Sequence, residues 1–146
     1  TFAHGYANPK FKNKTSTGGV ASNNATSPHT DIDFPMFRLG DIYLMYAESQ
    51  LRMGNTATAI QYVNLIRQRG YGNNSYDVTT LTLDDILDER AREMQWEATR
   101  RTDLIRFGVF LKPWQYKPTD DAKYLVFPIP SQALAANPNL KQNPGY

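Results

Sequence analysis

Two glutamates, Glu93 and Glu97, stand four positions apart in the run Asp88-Glu89-Arg90-Ala91-Arg92-Glu93-Met94-Gln95-Trp96-Glu97. On a helix that spacing sets two carboxylates one turn apart on one face. Carboxyl pairs roughly 5–10 Å apart, facing one cleft, are the machinery of glycoside cleavage. That chemistry needs a general acid with a raised pKa. Arg90, Arg100 and Arg101 are near enough in sequence to pair with these glutamates, and a flanking guanidinium pins a carboxylate as its anion. The residue types therefore predict a structural ion-pair lattice tying this helix to the next turn, rather than an acid–base pair.

Aromatic side chains form the second candidate set. Trp114 and Tyr116 lie in Lys112-Pro113-Trp114-Gln115-Tyr116-Lys117-Pro118, a loop bracketed by prolines. Aromatic faces stack on the apolar C–H face of a pyranose, and binding residues concentrate on loops. Trp114 and Tyr116 are thus the candidate ligand contacts, set against simple packing on the chain's own surface. Trp96 falls inside a helical pattern and is expected in the core or at an interface. The two histidines, His4 and His29, lie in polar, turn-rich sequence, and a zinc site on them would need distant carboxylates. There is no cysteine, hence no thiolate nucleophile and no Cys-based metal site. Nucleotide-binding glycine loops, Gly-x-Ser-x-Gly and His-Glu-x-x-His are missing. No metal and no cofactor are expected.

These side chains need elements to position them. Residues 1–32 are rich in Asn, Thr, Ser and Gly; Lys14 to Asn24 reads as loop and Tyr6 to Phe11 as a short extended piece. After Phe34-Pro35 a helix is predicted from about Met36 to Met53, with Leu39, Ile42, Tyr43, Tyr46, Ala47 and Leu51 at helical spacing. Gly54 closes it in a left-handed conformation, and Asn55 is placed to cap the next helix. That second helix carries Ala59, Ile60, Val63 and Ile66 on one side and stops at Gly70, so the two fold back as an αα-hairpin. Thr82 and Asp85 form the capping box of a third helix, whose stripe of Leu83, Ile86, Leu87, Ala91 and Met94 runs to about Glu97 or Ala98. A short helical turn near Thr102 to Phe107 ends at Gly108. Beyond Phe110 the chain is loop-like, with an extended segment at Tyr124 to Ile129, a short helix capped by Ser131 through Ala136, and turns at Asn137-Pro138 and Asn143-Pro144-Gly145.

The first two helices resemble one tetratricopeptide unit. Such a unit needs a small residue midway along its first helix and another about 12 positions later, so that the backbones approach closely, within a period of roughly 34 residues. Ala47 and Ala59 have that separation. A generic helical hairpin is the plainer reading. The expected fold is mainly α: a tetratricopeptide-like hairpin plus a third long helix, with loop-rich N- and C-terminal segments.

Composition restricts partners. The chain has 146 residues, 40% apolar and 21% charged, which suits one globular unit. Its 16 basic and 14 acidic residues leave a net charge of +2, with the two signs interleaved. That balance gives no electrostatic reason to expect nucleic acid or an anionic membrane. No stretch approaches the roughly 20 apolar residues of a membrane-spanning helix.

Three segments together resemble the SusD/RagB family. The first is Phe34-Pro-Met-Phe-Arg-Leu-Gly-Asp-Ile-Tyr-Leu-Met-Tyr-Ala-Glu-Ser49, with Gly54 and Val63-Asn-Leu-Ile-Arg-Gln-Arg69. The second is Ile86-Leu-Asp-Glu-Arg90 with Glu93, Glu97, Arg100, Asp103-Leu104 and Arg106-Phe107-Gly108. The third is Phe127-Pro-Ile-Pro130, Asn137-Pro138-Asn139-Leu140 and Gln142-Asn143-Pro144-Gly145-Tyr146. One departure is Ala98, where the family has Gly. The resemblance covers residues 34–146, with 1–33 expected to be the loop-rich end of an upstream region. It implies a helical scaffold on the bacterial outer-membrane surface that binds oligosaccharide or another nutrient without catalysis and caps a SusC-like TonB-dependent transporter. It also implies membrane attachment only through a lipid anchor outside this chain. The matched residues Glu48, Arg67, Glu89, Arg90, Glu93, Glu97, Arg100, Asp103 and Arg106 are expected to hold helix against helix through charge-assisted hydrogen bonds. The competing reading is a tetratricopeptide-type protein–protein adaptor.

Overall fold

The computed structural model describes residues 10–21 and 30–146. Both histidines, and most of the expected extended piece at Tyr6 to Phe11, lie outside them. Five α-helices order the described chain: α1 (Leu39–Arg52), α2 (Thr56–Tyr71), α3 (Leu83–Glu93), α4 (Arg100–Arg106) and α5 (Ser131–Ala136). Among the described residues β-pairing is confined to two isolated bridges, Lys14 with Val20 and Trp114 with Lys117. The fold is mainly α, as expected.

Helix α1 starts at Leu39, three residues later than the periodicity suggests. Arg38 occupies the N-cap position in an extended conformation, φ −150° and ψ 154°, and its side chain reaches across to α3. α1 closes through Gly54 at φ +85°, a conformation that costs glycine nothing. Asn55 sits at the N-cap of α2 without capping it. Its amide donates instead to Gln50 Oε1 at 2.8 Å, knitting the hairpin turn. α2 passes through Gly70 and ends at Tyr71, because the left-handed residue is Gly72, φ +75°.

The core lies where α1, α2 and α3 meet: Leu44, Ala47, Ala59, Val63, Ile66, Leu81 and Ile86. Ala47 and Ala59 are both fully enclosed. A larger side chain at either would overpack the hairpin, at about 1–3 kcal/mol. Tyr62 makes T-shaped contacts with Tyr43 and Tyr46, with ring centroids 5.2 and 4.6 Å away. Only part of the predicted α1 stripe is inward. Leu39, Ile42 and Tyr46 are exposed and Leu44 is buried, because α1 carries apolar residues around most of its circumference. The loop after α2 is pinned by Asn64, whose side-chain amide exchanges two hydrogen bonds with the backbone of Val78 at 2.9 and 3.0 Å.

α3 opens with the expected capping box. Thr82 Oγ1 accepts from Asp85 N at 3.2 Å, and Asp85 Oδ2 accepts from Thr82 N at 2.8 Å. The helix ends at Glu93, short of the expected Glu97 or Ala98. Trp96 and Ala98 have φ of 64° and 59°, left-handed values that interrupt a right-handed helix. The chain reverses there and enters α4.

The last third is held by side-chain amides and a phenol more than by apolar burial. Gln142 accepts from Ile129 N at 2.8 Å and donates to Ile129 O at 2.9 Å. Asn143 donates to Phe127 O at 2.7 Å. The Tyr146 hydroxyl lies within hydrogen-bond distance of Lys123 O and Val126 O. Phe127-Pro-Ile-Pro and Gln142-Asn-Pro-Gly-Tyr are therefore two halves of one clamp. The extended segment begins only at Val126, since Ala122–Leu125 form a 3-10 turn. Ser131 is the first helical residue of α5 and does not cap it; Pro130 is at the cap position.

Candidate binding surface

The acidic and basic groups of α1 to α4 clasp one another. Arg90, only 5% exposed, donates from Nε to Asp103 Oδ2 at 2.9 Å and from Nη1 to Asp41 Oδ1 at 2.8 Å. It joins α3 to α4 and α1 at once. Glu48 accepts from Arg106 and, at 2.8 Å, from Arg52 Nε, tying α1 to α4. Arg67 Nη1 donates to Glu89 Oε2 at 2.7 Å, tying α2 to α3. Among the described residues no buried side-chain nitrogen or oxygen lacks a partner.

The partners of Glu93 and Glu97 differ from those expected. Glu93 pairs with Arg38 and, at 2.7 Å, with Arg69. Glu97 pairs with Lys10 and, at 2.6 Å, with Arg38 Nε. Arg100 instead donates to Leu87 O at 2.9 Å and Arg101 to Tyr124 O at 2.7 Å. The reversal at residues 94–98 explains this, because it swings both arginines away from the end of α3. It also removes the helical spacing on which a paired-carboxylate site depended. Burial pushes the Glu97 carboxyl up, but hydrogen bonds from Arg38 and Lys10 outweigh it and hold the group below the usual carboxylate range. At Glu48 burial is likewise outweighed by Arg106 and Arg52. Carboxylates held as anions are the opposite of what a general acid requires.

Two further cations, Arg101 at the start of α4 and Lys117 beyond it, meet rings. Lys117 Nζ stands 4.4 Å from the Trp114 ring centroid and 5.8 Å from that of Phe110. The Arg101 guanidinium carbon stands 4.7 Å from the Phe110 centroid and 4.5 Å from that of Phe127. Trp114, Lys117, Phe110, Arg101 and Phe127 thus form a ladder of alternating rings and cations. Each such contact contributes about 0.5–1 kcal/mol where solvent reaches it. Trp114 and Lys117 exchange backbone hydrogen bonds at 3.1 and 2.9 Å, closing a tight turn. Tyr116, at φ 67°, projects from its tip, 82% exposed. A cavity of about 350 Å³ opens beside the lower rungs, lined by Arg101, Phe110, Asp120, Tyr124, Phe127 and Tyr146.

Among the described residues, two of the three non-glycine residues with positive φ are exposed aromatics, Trp96 and Tyr116. Trp96 was expected in the core or at an interface. It is 69% exposed, on the turn that terminates α3.

The model of the SusD family matches residues 1–126. The chain belongs to the SusD family. It is 39% identical over 154 aligned residues to the starch-binding protein SusD of Bacteroides thetaiotaomicron, an alignment covering 99% of this chain and 27% of that protein. It is 34% identical to a SusD-like protein of Formosa agariphila over 76% of this chain and 24% of the relative. Among solved structures, a protein of Bacteroides vulgatus described as a putative sugar-binding protein superposes with a TM-score of 0.71 at 34% identity, covering 88% of this chain and 31% of that one. A SusD superfamily protein of the same species superposes with a TM-score of 0.69 at 31% identity, covering 86% and 30%. The chain therefore spans about a third or less of the relatives it matches.

Sequence reasoning did not single out Lys10, Arg69 or Asp41 as members of the lattice, nor Phe110 and Phe127 as rungs of the ladder. Arg38 and Asp41 were legible as parts of the SusD-family motif, though not as partners of Glu93, Glu97 and Arg90. For the rungs no periodicity exists to find, since residues 101, 110, 117 and 127 are brought together only by the loops between them.

Proposed function

We propose that this chain is part of a non-catalytic surface protein that captures oligosaccharide on the bacterial outer membrane and delivers it to a SusC-like TonB-dependent transporter. In this reading a lipid anchor outside the segment holds the protein to the membrane. Residues 34–146 form the helical unit, and 1–33 lead into it. Glu48, Arg67, Glu89, Arg90, Glu93, Glu97, Arg100, Asp103 and Arg106 are architectural, while Trp114 and Tyr116 supply ring faces to the ligand. The observation that carries it is a ladder ending in exposed aromatic rings, on a chain 39% identical to a starch-binding protein. Exposed rings with ordered cations behind them suit the apolar face and hydroxyl rim of a sugar.

The full-length protein, probed on a glycan array and then by calorimetry, is expected to bind an oligosaccharide that chromatography recovers intact. Cleavage of the bound glycan overturns the non-catalytic role, and an array without any signal overturns glycan capture. A second reading, protein docking, draws on the exposed apolar side chains Phe37, Leu39 and Ile42 beside and on α1. Co-purification of the full-length protein with its transporter is the matching measurement. Loss of that complex on changing Phe37→Ser and Ile42→Ser supports it, and an unaltered complex removes it.

A further inference from the structure

Arg101 breaks the pattern of the charge lattice. Every arginine of the lattice described above except Arg100 meets a carboxylate, whereas Arg101 makes one hydrogen bond among the described residues, to the Tyr124 carbonyl at 2.7 Å. Its guanidinium is held between the Phe110 and Phe127 rings and lines the 350 Å³ cavity. A guanidinium carries five N–H donors in a rigid fork. Contact with the rings holds the fork, and the hydrogen bond to Tyr124 uses one of its N–H groups.

The other walls complete a recognisable chemistry. Phe127 is 71% exposed and presents an apolar face. Asp120 lines the same cavity, and its Oδ2 is oriented by Lys117 Nζ at 2.7 Å. Small-molecule sites run from roughly 300 to 1,000 Å³, so a cavity of 350 Å³ is at the size of one or two small rings. We propose that this cavity is a subsite for one neutral pyranose ring of a glycan. Phe127 stacks on the sugar's C–H face, Arg101 donates to two neighbouring hydroxyls, and Asp120 accepts from a third. A neutral ring is specified because Arg101 and Asp120 are the charged residues of the lining and their formal charges cancel. The proposal rests on the glycan-capture reading and deepens it.

The test uses the full-length protein, titrated by calorimetry with maltoheptaose, cellohexaose, mannohexaose, xylohexaose and an oligogalacturonate, in the wild type and in Arg101→Lys and Phe127→Ala. Arg101→Lys keeps the charge and removes the fork; Phe127→Ala removes an exposed ring, so at least one variant retains the fold, as a thermal melt checks. The expected result is that a neutral oligosaccharide binds the wild type and that each folded variant loses about tenfold in affinity, or one of its binding phases. Wild-type binding with unchanged isotherms in the folded variants overturns the subsite and leaves glycan capture standing. Binding of the oligogalacturonate alone overturns the neutral assignment. Absence of binding to all five probes overturns the subsite, and with a blank array it overturns glycan capture too.

Discussion

Arginine is used in two ways in this chain. In the region of α1 to α4, Arg38, Arg67, Arg90 and Arg106 end on carboxylates of other helices. Arg101, in the first turn of α4, lies on aromatic rings and meets no carboxylate among the described residues, while Lys117, beyond α4, lies on rings and also pairs with Asp120 at 2.7 Å. A carboxylate partner satisfies a guanidinium's donors and, once buried, makes the pair costly to break. A ring partner holds the plane of the cation and leaves its donors outward. The first use locks helices together. The second fixes cations against rings at the surface.

Acid is expected to produce the largest separation between the two regions, because it acts on all the carboxylate pairs together. Glu48 and Glu97 are held below their ordinary value of 4.5. Asp85 is held below its ordinary 3.8, chiefly by the hydrogen bond from the Thr82 hydroxyl. Depressed carboxylates take up protons less readily in the folded chain than in the unfolded one, so unfolding binds protons. Their stabilisation is present above about pH 4.5 and is lost as pH falls through the lower folded values. Thermal melts from pH 7 to pH 3 are expected to show a falling Tm below about pH 4.5, while fluorescence of the Trp114 turn changes only with global unfolding. A Tm that is flat across this interval contradicts the lattice.

Arg90→Ala is next. It takes the nearer of two arginine partners from Asp103, 3% exposed, leaving Arg106 at 3.2 Å, and removes the Arg90 partner of Asp41. Breaking a buried pair by removing one partner costs about 3–5 kcal/mol, and urea denaturation of the full-length protein measures it. A loss below about 1 kcal/mol would mean that water reaches the lattice. Ala98→Gly tests the reversal that separates the two regions. At φ 59° an alanine is strained, and glycine there is expected to raise stability by about 1 kcal/mol; a lowered Tm means that the left-handed turn is not populated. The smallest effect is reserved for Trp114→Ala. It removes a half-exposed ring from Lys117, and stability should change by no more than about 0.5–1 kcal/mol. Glycan affinity in the same variant should drop about tenfold. A large stability loss with unchanged affinity would assign Trp114 to packing and not to the proposed ligand contact.

Much of the helical region was legible beforehand. The Ala47 and Ala59 pair, the Thr82 capping box and the glycine at position 54 are local signals, written in spacing a few residues long. Helix ends were less legible. The sequence pattern carries α3 four or five residues too far because Gln95, Trp96 and Glu97 all favour or tolerate helix, and only the contacts of the fold hold Trp96 and Ala98 left-handed. The charge-dense segment was legible as a lattice by composition, but its pairs were not. Sequence proximity suggested Arg100 and Arg101 for Glu93 and Glu97, whereas the observed partners come from residues 10, 38 and 69.

By itself the sequence determined the helical class, the hairpin and the absence of thiol chemistry, because helical periodicity, caps and residue types act over a few positions. It also carried enough ordered motif to indicate the family. Only the tertiary structure decided which charges meet, that Trp96 faces solvent, and that Arg101 lies between two rings. Those outcomes depend on which way the chain turns between elements, and a turn redirects every side chain beyond it.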